Sequence, residues 1–139
     1  PYIDIVPRQD FLVTTSECVL VQRTTSKEQE RRILAAILPQ KFIDENGGVV
    51  VENHINIVYS NGLFSAVRPE VIEVLLNSHV VDRAFRCISG SVAVSAYELN
   101  SIPLPSLEQV MEIQALLDAG VDRRIIERTI AGFYGVMFA

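Results

Sequence analysis

Two apolar runs flank an entirely hydrophilic segment in the stretch Val19-Leu20-Val21-Gln22-Arg23-Thr24-Thr25-Ser26-Lys27-Glu28-Gln29-Glu30-Arg31-Arg32-Ile33-Leu34-Ala35-Ala36-Ile37-Leu38. The middle of this stretch, Gln22 to Arg32, is eleven residues long and carries no hydrophobic side chain. Apolar flanks of this kind anchor the ends of a segment in a core and leave its middle in water. We call residues 22–32 the polar segment and expect buried β-structure on both sides of it.

The side chains of the polar segment are those with which proteins contact nucleic acids. Arginine binds guanine through two hydrogen bonds, glutamine binds adenine in the same way, and hydroxyls and lysine contact phosphates. The alternative interpretation is a solvated hairpin whose charges only keep the protein in solution, since runs of charge usually face water.

The 139 residues carry a formal net charge of −5, and 49% of them are hydrophobic. This length is typical of a single domain, and the composition is too hydrophobic for a disordered protein. The net charge argues against binding nucleic acid through bulk electrostatics alone. However, residues 22–41 hold five basic and two acidic side chains, whereas residues 98–139 hold three basic and six acidic ones. A binding face in the N-terminal part would produce this polarity.

The sequence predicts neither a membrane-spanning helix nor a metal site. Its uncharged stretches are too short for a membrane-spanning helix, so we expect no membrane contact. Cys18 and Cys87 stand alone, which is typical of a cytoplasmic protein, and we expect both to be buried. No two of the cysteines and histidines (Cys18, Cys87, His54, His79) lie at metal-ligand spacing, so we predict no metal site.

Three stretches have the composition of strands. Residues 17–24 are rich in β-branched side chains, and residues 31–38 suit a short buried strand, although their leucines and alanines also suit a helix. Asn46-Gly47-Gly48 signals a turn and precedes residues 49–59, the clearest strand of the sequence.

Helices are expected in the second half. Arg68-Pro69-Glu70 begins the first of two short helices, which are separated at Asn77-Ser78 and end at Ser89-Gly90-Ser91. Residues 92–102 are expected to be extended and irregular, and Pro103-Leu104-Pro105 excludes a helix there.

The C-terminal residues predict a helical hairpin. Ser106 caps a helix to about Ala119, Gly120 stops it, and Asp122 caps a last helix to about Phe133. The fold class is therefore α+β, a small mixed β-sheet with packed helices and a C-terminal helical hairpin.

Residues 115–126 also match the start of a helix-turn-helix DNA-binding motif, with Arg123 and Arg124 at the beginning of its second helix. A plain helical hairpin satisfies the same pattern, and the surrounding charge is acidic.

Six short motifs follow one another along the chain: Gln22-Arg23-Thr24-Thr25, Arg31-Arg32-Ile33, Val51-Glu52-Asn53-His54-Ile55-Asn56, Leu75-Leu76-Asn77-Ser78, Ser89-Gly90-Ser91 and Leu99-Asn100-Ser101-Ile102-Pro103-Leu104-Pro105-Ser106. In this order they resemble the C-terminal part of adenine-specific DNA methyltransferases of bacterial type II restriction-modification systems. The last motif, with Glu108-Gln109 in the helix after it, also resembles the close of a target recognition domain in type I specificity subunits. Phe133-Tyr134-Gly135 resembles the end of these methylases.

This resemblance implies that residues 1–139 are a single, excised C-terminal DNA target recognition domain. Residues 1–105 would be its mixed α/β recognition part and residues 106–139 its helical tail. Its partners would be double-stranded DNA and a catalytic methyltransferase domain of the same chain, which transfers a methyl group from S-adenosylmethionine to adenine N6. The Asn-Pro-Pro-aromatic motif of such catalytic domains is absent, since no proline here follows an asparagine. We therefore expect neither catalysis nor cofactor binding in these residues.

We expect the polar segment to enter a groove of the duplex, supported by polar residues of the third strand. The Ser89-Gly90-Ser91 turn, with free hydroxyls, would contact phosphate near Arg83 and Arg86, unless those arginines pair with Asp82 or Glu73. The candidate contact residues are Arg23, Thr24, Thr25, Lys27, Gln29, Arg31, Arg32, Asn53, His54, Asn56, Ser89 and Ser91. Alternatively, the amides of Asn53 and Asn56 bind nearby backbone, and His54 is a packed, hydrogen-bonded imidazole.

Two other functions remain open at this point. The chain could belong to a type I specificity subunit, which recognises DNA without methylating it. It could also be a protein-interaction domain, in which the apolar helices and the acidic tail bind a partner subunit and the polar segment is only a solvated turn.

Overall fold

The computed structural model describes residues 2–26 and 28–137, and it confirms the α+β class. Its strands are β1 (Val13–Thr14), β2 (Cys18–Gln22), β3 (Ala35–Leu38), β4 (Val49–Val50) and β5 (Ile55–Val58). Its helices are α1 (Gln40–Asn46), α2 (Pro69–Leu76), α3 (His79–Ile88), α4 (Ala96–Asn100), α5 (Leu107–Asp118) and α6 (Arg123–Phe133).

The strands form a three-stranded sheet of order β3-β2-β5 and a two-stranded sheet of β1 and β4. In the larger sheet, Leu20 of β2 pairs with Ala36 of β3 on one side and with Ile57 of β5 on the other. The two strands predicted around the polar segment are thus confirmed, and the polar segment connects them. The sequence predicted a mixed sheet, but the described pairings are antiparallel, because β2 lies between β3 and β5 and runs opposite to both.

The single strand predicted over residues 49–59 is wrong in its middle. Val49 and Val50 pair with β1, Asn53 and His54 form a turn, and β5 then begins at Ile55. The glycine turn delivers the chain to β1, since Gly48 has a φ of 122° and a Cβ there would lie 2.4 Å from Cγ1 of Val13. Only glycine permits this close approach.

Of the four predicted helices, one begins at a proline and three begin at side-chain caps. Pro69 occupies the first turn of α2, and the Ser78 side chain caps α3 directly after the predicted break. Ser106 forms a capping box with Gln109 at the start of α5, and Asp122 caps α6. The C-terminal helical hairpin is therefore confirmed.

Helices α1 and α4 are not predicted from the sequence. Helix α4 lies in residues 92–102, which were expected to be extended, and it begins with a capping box between Ser95 and Glu98. The Ser-x-x-Glu spacing was the available signal.

One hydrophobic core joins the sheet to the helices. Val19 of β2, Val71 of α2, Phe85 of α3, Ile113 of α5 and Ile130 of α6 are all 0% exposed and belong to the same cluster. Residues on both sides of position 105 therefore contribute to this core. None of the described helices is long and apolar enough to cross a membrane.

The Asp82 carboxylate fastens the polar segment to α3. Its Oδ1 accepts the backbone N–H groups of Arg32 at 2.6 Å and of Ile33 at 3.0 Å, and its Oδ2 accepts Nε–H of Arg86 at 2.7 Å. Burial by itself raises the pKa of Asp82, but the hydrogen bonds from Arg86, Ile33 and Arg32 outweigh it and hold that pKa below its ordinary value. The residue is ionised in the fold at neutral pH.

Replacing Asp82 with asparagine is expected to lower the free energy of unfolding by about 1–3 kcal/mol at pH 7. Asparagine lacks the negative charge, and its amide N–H₂ group would face N–H donors that the carboxylate now accepts. Since the folded pKa is depressed, the carboxylate stabilises the protein above the unfolded pKa of about 4. This stabilisation is lost as the pH falls through the folded pKa. Urea unfolding at pH 7 and in acid should therefore show a difference that shrinks in acid.

The matched control is Glu112→Gln, which removes an exposed carboxylate from α5. It should leave the unfolding free energy nearly unchanged at both pH values. A loss in Asp82→Asn that is equally large in acid would contradict this account of the carboxylate.

Tyr134 ties the end of α6 to the proline-rich step before α5. Its hydroxyl donates to the carbonyl of Pro103 at 2.7 Å, and burial raises its pKa to about 12.

Tyr134→Phe should lower the unfolding free energy by about 0.5–1.5 kcal/mol below pH 10. Because the folded pKa is raised, the wild-type advantage should disappear as the pH rises from about 10 through the folded value. Tyr97→Phe, at a tyrosine that is 82% exposed, is the control for urea unfolding at both ends of this range.

Candidate nucleic-acid interface

The polar segment is held against the body of the protein at its centre. The N–H of Thr25 donates to the carbonyl of Val92 at 3.0 Å, and Thr24 forms an isolated bridge with Ala93. Thr25 is 6% exposed, and its hydroxyl also donates to Val92. Thr25 therefore supports the segment from inside, while Thr24 is exposed.

Arg32 also turns inward. It is 3% exposed, its Nε donates to the Thr25 hydroxyl at 2.9 Å, and its Nη2 donates to the carbonyl of Ser91. Its guanidinium carbon lies 5.8 Å from the centre of the Phe85 ring. In this conformation Arg32 joins the polar segment to the loop after α3.

Arg86 fixes the tip of the segment. Its Nη2 donates to the carbonyls of Gln29 and Glu30, each at 3.0 Å, while its Nε binds Asp82. The expected pairing with Asp82 is confirmed for Arg86, whereas Arg83 is exposed and makes no ion pair with a described residue. Gln29 is half-buried and accepts the N–H of Ser26, and Lys27 lies outside the described residues.

The start of the polar segment contacts Asn53 and His54, which were expected to support it from a strand but lie in the turn before β5. The N–H of Arg23 donates to the carbonyl of His54 at 2.8 Å, and its Nη1 donates to the carbonyl of Asn53 at 3.3 Å. We define the Arg23 surface as the exposed side chains gathered here, namely Gln22, Arg23, Thr24, Asn53 and His54.

Three polar residues of the third predicted strand have different surroundings. Asn56 is half-buried, and its Nδ2 donates to the carbonyl of Val94 at 2.7 Å, as the alternative interpretation predicted. The side chain of Asn53 is exposed. His54 is hydrogen-bonded but not packed, because its ring is 66% exposed and its Nδ1 lies 2.9 Å from the Glu52 carboxylate.

The hydroxyls of the Ser89-Gly90-Ser91 turn are not free, contrary to expectation. Ser89 is buried and donates to the Glu98 carboxylate, and the Ser91 hydroxyl donates to the carbonyl of Ala93 at 2.8 Å. The hydrogen bond from Ser89, together with those from Ser95, holds the pKa of Glu98 below its ordinary value. A carboxylate behind the turn disfavours a phosphate there, so this turn is better suited to holding Arg32.

A second polar surface lies where the polar segment ends. Arg31 donates from Nη1 to the carbonyl of Asn77 and lies with Nη2 3.1 Å from Nε2 of His79. The N-terminal turn of α6 borders the same depression, of about 440 Å³. We call its basic side chains the Arg124 cluster: Arg31, His79, Arg123, Arg124 and Arg128.

The Arg124 cluster is not predictable from local sequence patterns, because Arg31 and Arg124 are about ninety residues apart along the chain. The sequence indicates Arg31 through the polar segment, and Arg123 and Arg124 through the helix-turn-helix pattern. The contact of α3 with both the polar segment and α6 brings them together.

The described cysteines and acidic residues form no metal centre. Among residues 2–26 and 28–137, no three histidine, cysteine, aspartate or glutamate side chains gather as metal ligands. Cys18 is buried as expected, but Cys87 is exposed, because it lies on the outer face of α3.

The sequence of the chain is similar to segments of two known methyltransferases. It is 31% identical over 112 residues to the type II methyltransferase M.PstI of Providencia stuartii, a match covering 80% of this chain and 22% of that protein. It is also 31% identical over 108 residues to the type II methyltransferase M.BsuBI of Bacillus subtilis, covering 76% of this chain and 21% of that protein. No family model and no solved structure matches the chain. The chain thus spans about a fifth of the length of these curated relatives and is similar to a segment of type II methyltransferases.

Proposed function

We propose that this chain recognises the DNA target of a type II restriction-modification methyltransferase that modifies adenine at N6. The observation that carries the proposal is the similarity of four-fifths of the chain to one-fifth of M.PstI. A segment of that size, without the Asn-Pro-Pro-aromatic motif, is suited to binding DNA for a catalytic domain elsewhere in the polypeptide. In this proposal residues 1–139 are one domain, with recognition in residues 1–105 and a helical tail in residues 106–139.

The Arg23 surface is the proposed base-contacting part. Arg23 is exposed, and its backbone is fixed by His54, so its guanidinium starts from a defined place. Asn53 beside it supplies an amide, which binds adenine with both of its polar atoms, as arginine binds guanine. Such a surface can contact base edges directly, although the protein as a whole carries a net negative charge.

Five of the candidate residues have supporting roles in the proposal. Thr25, Arg32, Asn56, Ser89 and Ser91 have hydrogen bonds within the protein, and they hold the hairpin in the shape that presents Arg23. Gln29, at the tip of the segment, remains a proposed contact to adenine or to the backbone, and so does Lys27, outside the described residues.

S-adenosylmethionine would bind outside the described residues. The depression between β5, α2 and α5, of about 310 Å³, is lined mainly by aliphatic side chains such as Val58, Val71 and Leu75, with a few neutral polar residues such as Ser60, and no charged residue borders it. The sulfonium and ammonium groups of the cofactor are cations that need acidic partners, so this site does not fit it. We propose that the cofactor and the methyl transfer belong to a catalytic domain, with the helical tail as scaffold or contact surface.

The proposed recognition is tested first by methylation mapping in cells that express the natural polypeptide. We expect N6-methyladenine within one short recurring sequence. Uniform or absent adenine methylation, together with equal affinity for all duplexes, would contradict the proposal and favour a protein-interaction domain.

Arg23→Ala is then expected to cost about 1–3 kcal/mol of binding free energy on the mapped duplex and to relax the preference at one base pair. Binding is measured on the mapped duplex and on each of its single mismatches. The control is Lys41→Ala, since Lys41 is 85% exposed on α1 and pairs only with Glu45 among the described residues. Equal effects of the two variants would remove the Arg23 surface from base recognition.

A further inference from the structure

We infer that the Arg124 cluster binds a phosphate of the DNA backbone, as a second contact that is separate from the Arg23 surface. This inference rests on the proposed function and adds a site on α6 and α3 to it. It differs from a helix-turn-helix reader, because the contact is to phosphate and is built from three separate segments of chain.

Arg31 is the fixed member of the Arg124 cluster. Its guanidinium is half-buried and is positioned by the carbonyl of Asn77, the residue after the last turn of α2, and by the His79 ring. A guanidinium has five N–H donors, of which these two contacts use two. The remaining donors are available to an anion. Because the side chain is already held in place, binding an anion costs it little further conformational entropy.

Arg124 and Arg128 are the uncompensated members. Both are exposed on the first turns of α6, four residues apart, and neither side chain forms a hydrogen bond or ion pair with a described residue. Like charges at this spacing repel each other by a few tenths of a kcal/mol. An anion held between them removes this repulsion and gains two charge-assisted contacts.

The acidic groups nearby are already engaged. Glu127 accepts the backbone N–H of His79 at 2.7 Å, and Asp122 accepts the backbone N–H of Arg124 at 2.8 Å. Glu73 accepts from Asn77 at 2.9 Å and lies 3.5 Å from Arg123. These carboxylates offset part of the positive charge, but none of them pairs with Arg31 or Arg128.

Arg68 shows the contrast. It pairs with Asp118 and Glu70, so its charge is already neutralised. The Arg124 cluster also adjoins the first residues of both α3 and α6, whose helix dipoles are positive at that end. A phosphodiester, with one charge and two open oxygens, matches such a shallow site better than a base edge does.

The test compares Arg124→Gln/Arg128→Gln with the control Arg8→Gln/Lys41→Gln, which removes the same charge from the N-terminal segment and α1. Affinity for the mapped duplex and for a mismatched duplex is measured at several salt concentrations. In the cluster variant, affinity near 0.1 M salt should fall roughly ten- to a hundredfold on both duplexes alike. The slope of log K against log salt should shrink by about 0.9 relative to the control, since the cluster neutralises one phosphate and each phosphate contact contributes about 0.9.

The outcomes separate this inference from the proposed function. If the wild type distinguishes the two duplexes and the cluster variant keeps the slope of the control, only the inference is overturned. If the variant changes the ratio of the two affinities, the cluster contacts bases and the inference is also overturned. If the wild type binds both duplexes equally and the variant loses the slope, the phosphate site is supported and the proposed function fails. If the wild type binds neither duplex, both fail.

Discussion

The buried Asp82 carboxylate is the constraint on which the rest of the structure depends. A hydrophilic loop of eleven residues has no apolar side chain with which to pack, so its backbone groups must be satisfied in another way. Asp82 accepts two consecutive backbone N–H groups, those of Arg32 and Ile33, and binds Arg86, which in turn holds two carbonyls at the tip of the loop. Ile33 then enters the core at 0% exposure, and β3 follows with its register fixed.

This fastening divides the polar segment into two kinds of side chain. Thr25 and Arg32 face the protein and hold the hairpin, while Arg23 and Arg31 lie at its two ends, on different surfaces. The segment is therefore neither a freely solvated turn nor a uniform binding loop. A protein with a net charge of −5 gains little from bulk attraction to DNA. In the proposed function, a few positioned donors at two places would bind DNA instead, beside a catalytic domain.

The match to M.PstI and M.BsuBI covers about four-fifths of the chain, which is more than the hairpin of β2 and β3 alone. The helices share one core with β2, through residues such as Val19 and Ile130. Because of this common core, α6 is held at a fixed distance from the polar segment, and its arginines can act together with Arg31. In the proposal, the helical hairpin is therefore more than a scaffold, since the first turn of α6 borders the Arg124 cluster.

The sequence alone determined the elements whose signals are local. Proline at the start of α2, the serine and aspartate caps of α3, α5 and α6, and the apolar runs of β2 and β3 place those elements correctly, because caps and hydrophobic periodicity act over a few residues. The tertiary structure alone decided the break in residues 49–59, because Val49 and Val50 pair with β1 whereas the residues from Ile55 onward pair with β2. It also decided which arginines are exposed, since burial of Arg32 and the meeting of Arg31 with α6 depend on residues fifty to ninety positions away, and no local pattern encodes such contacts.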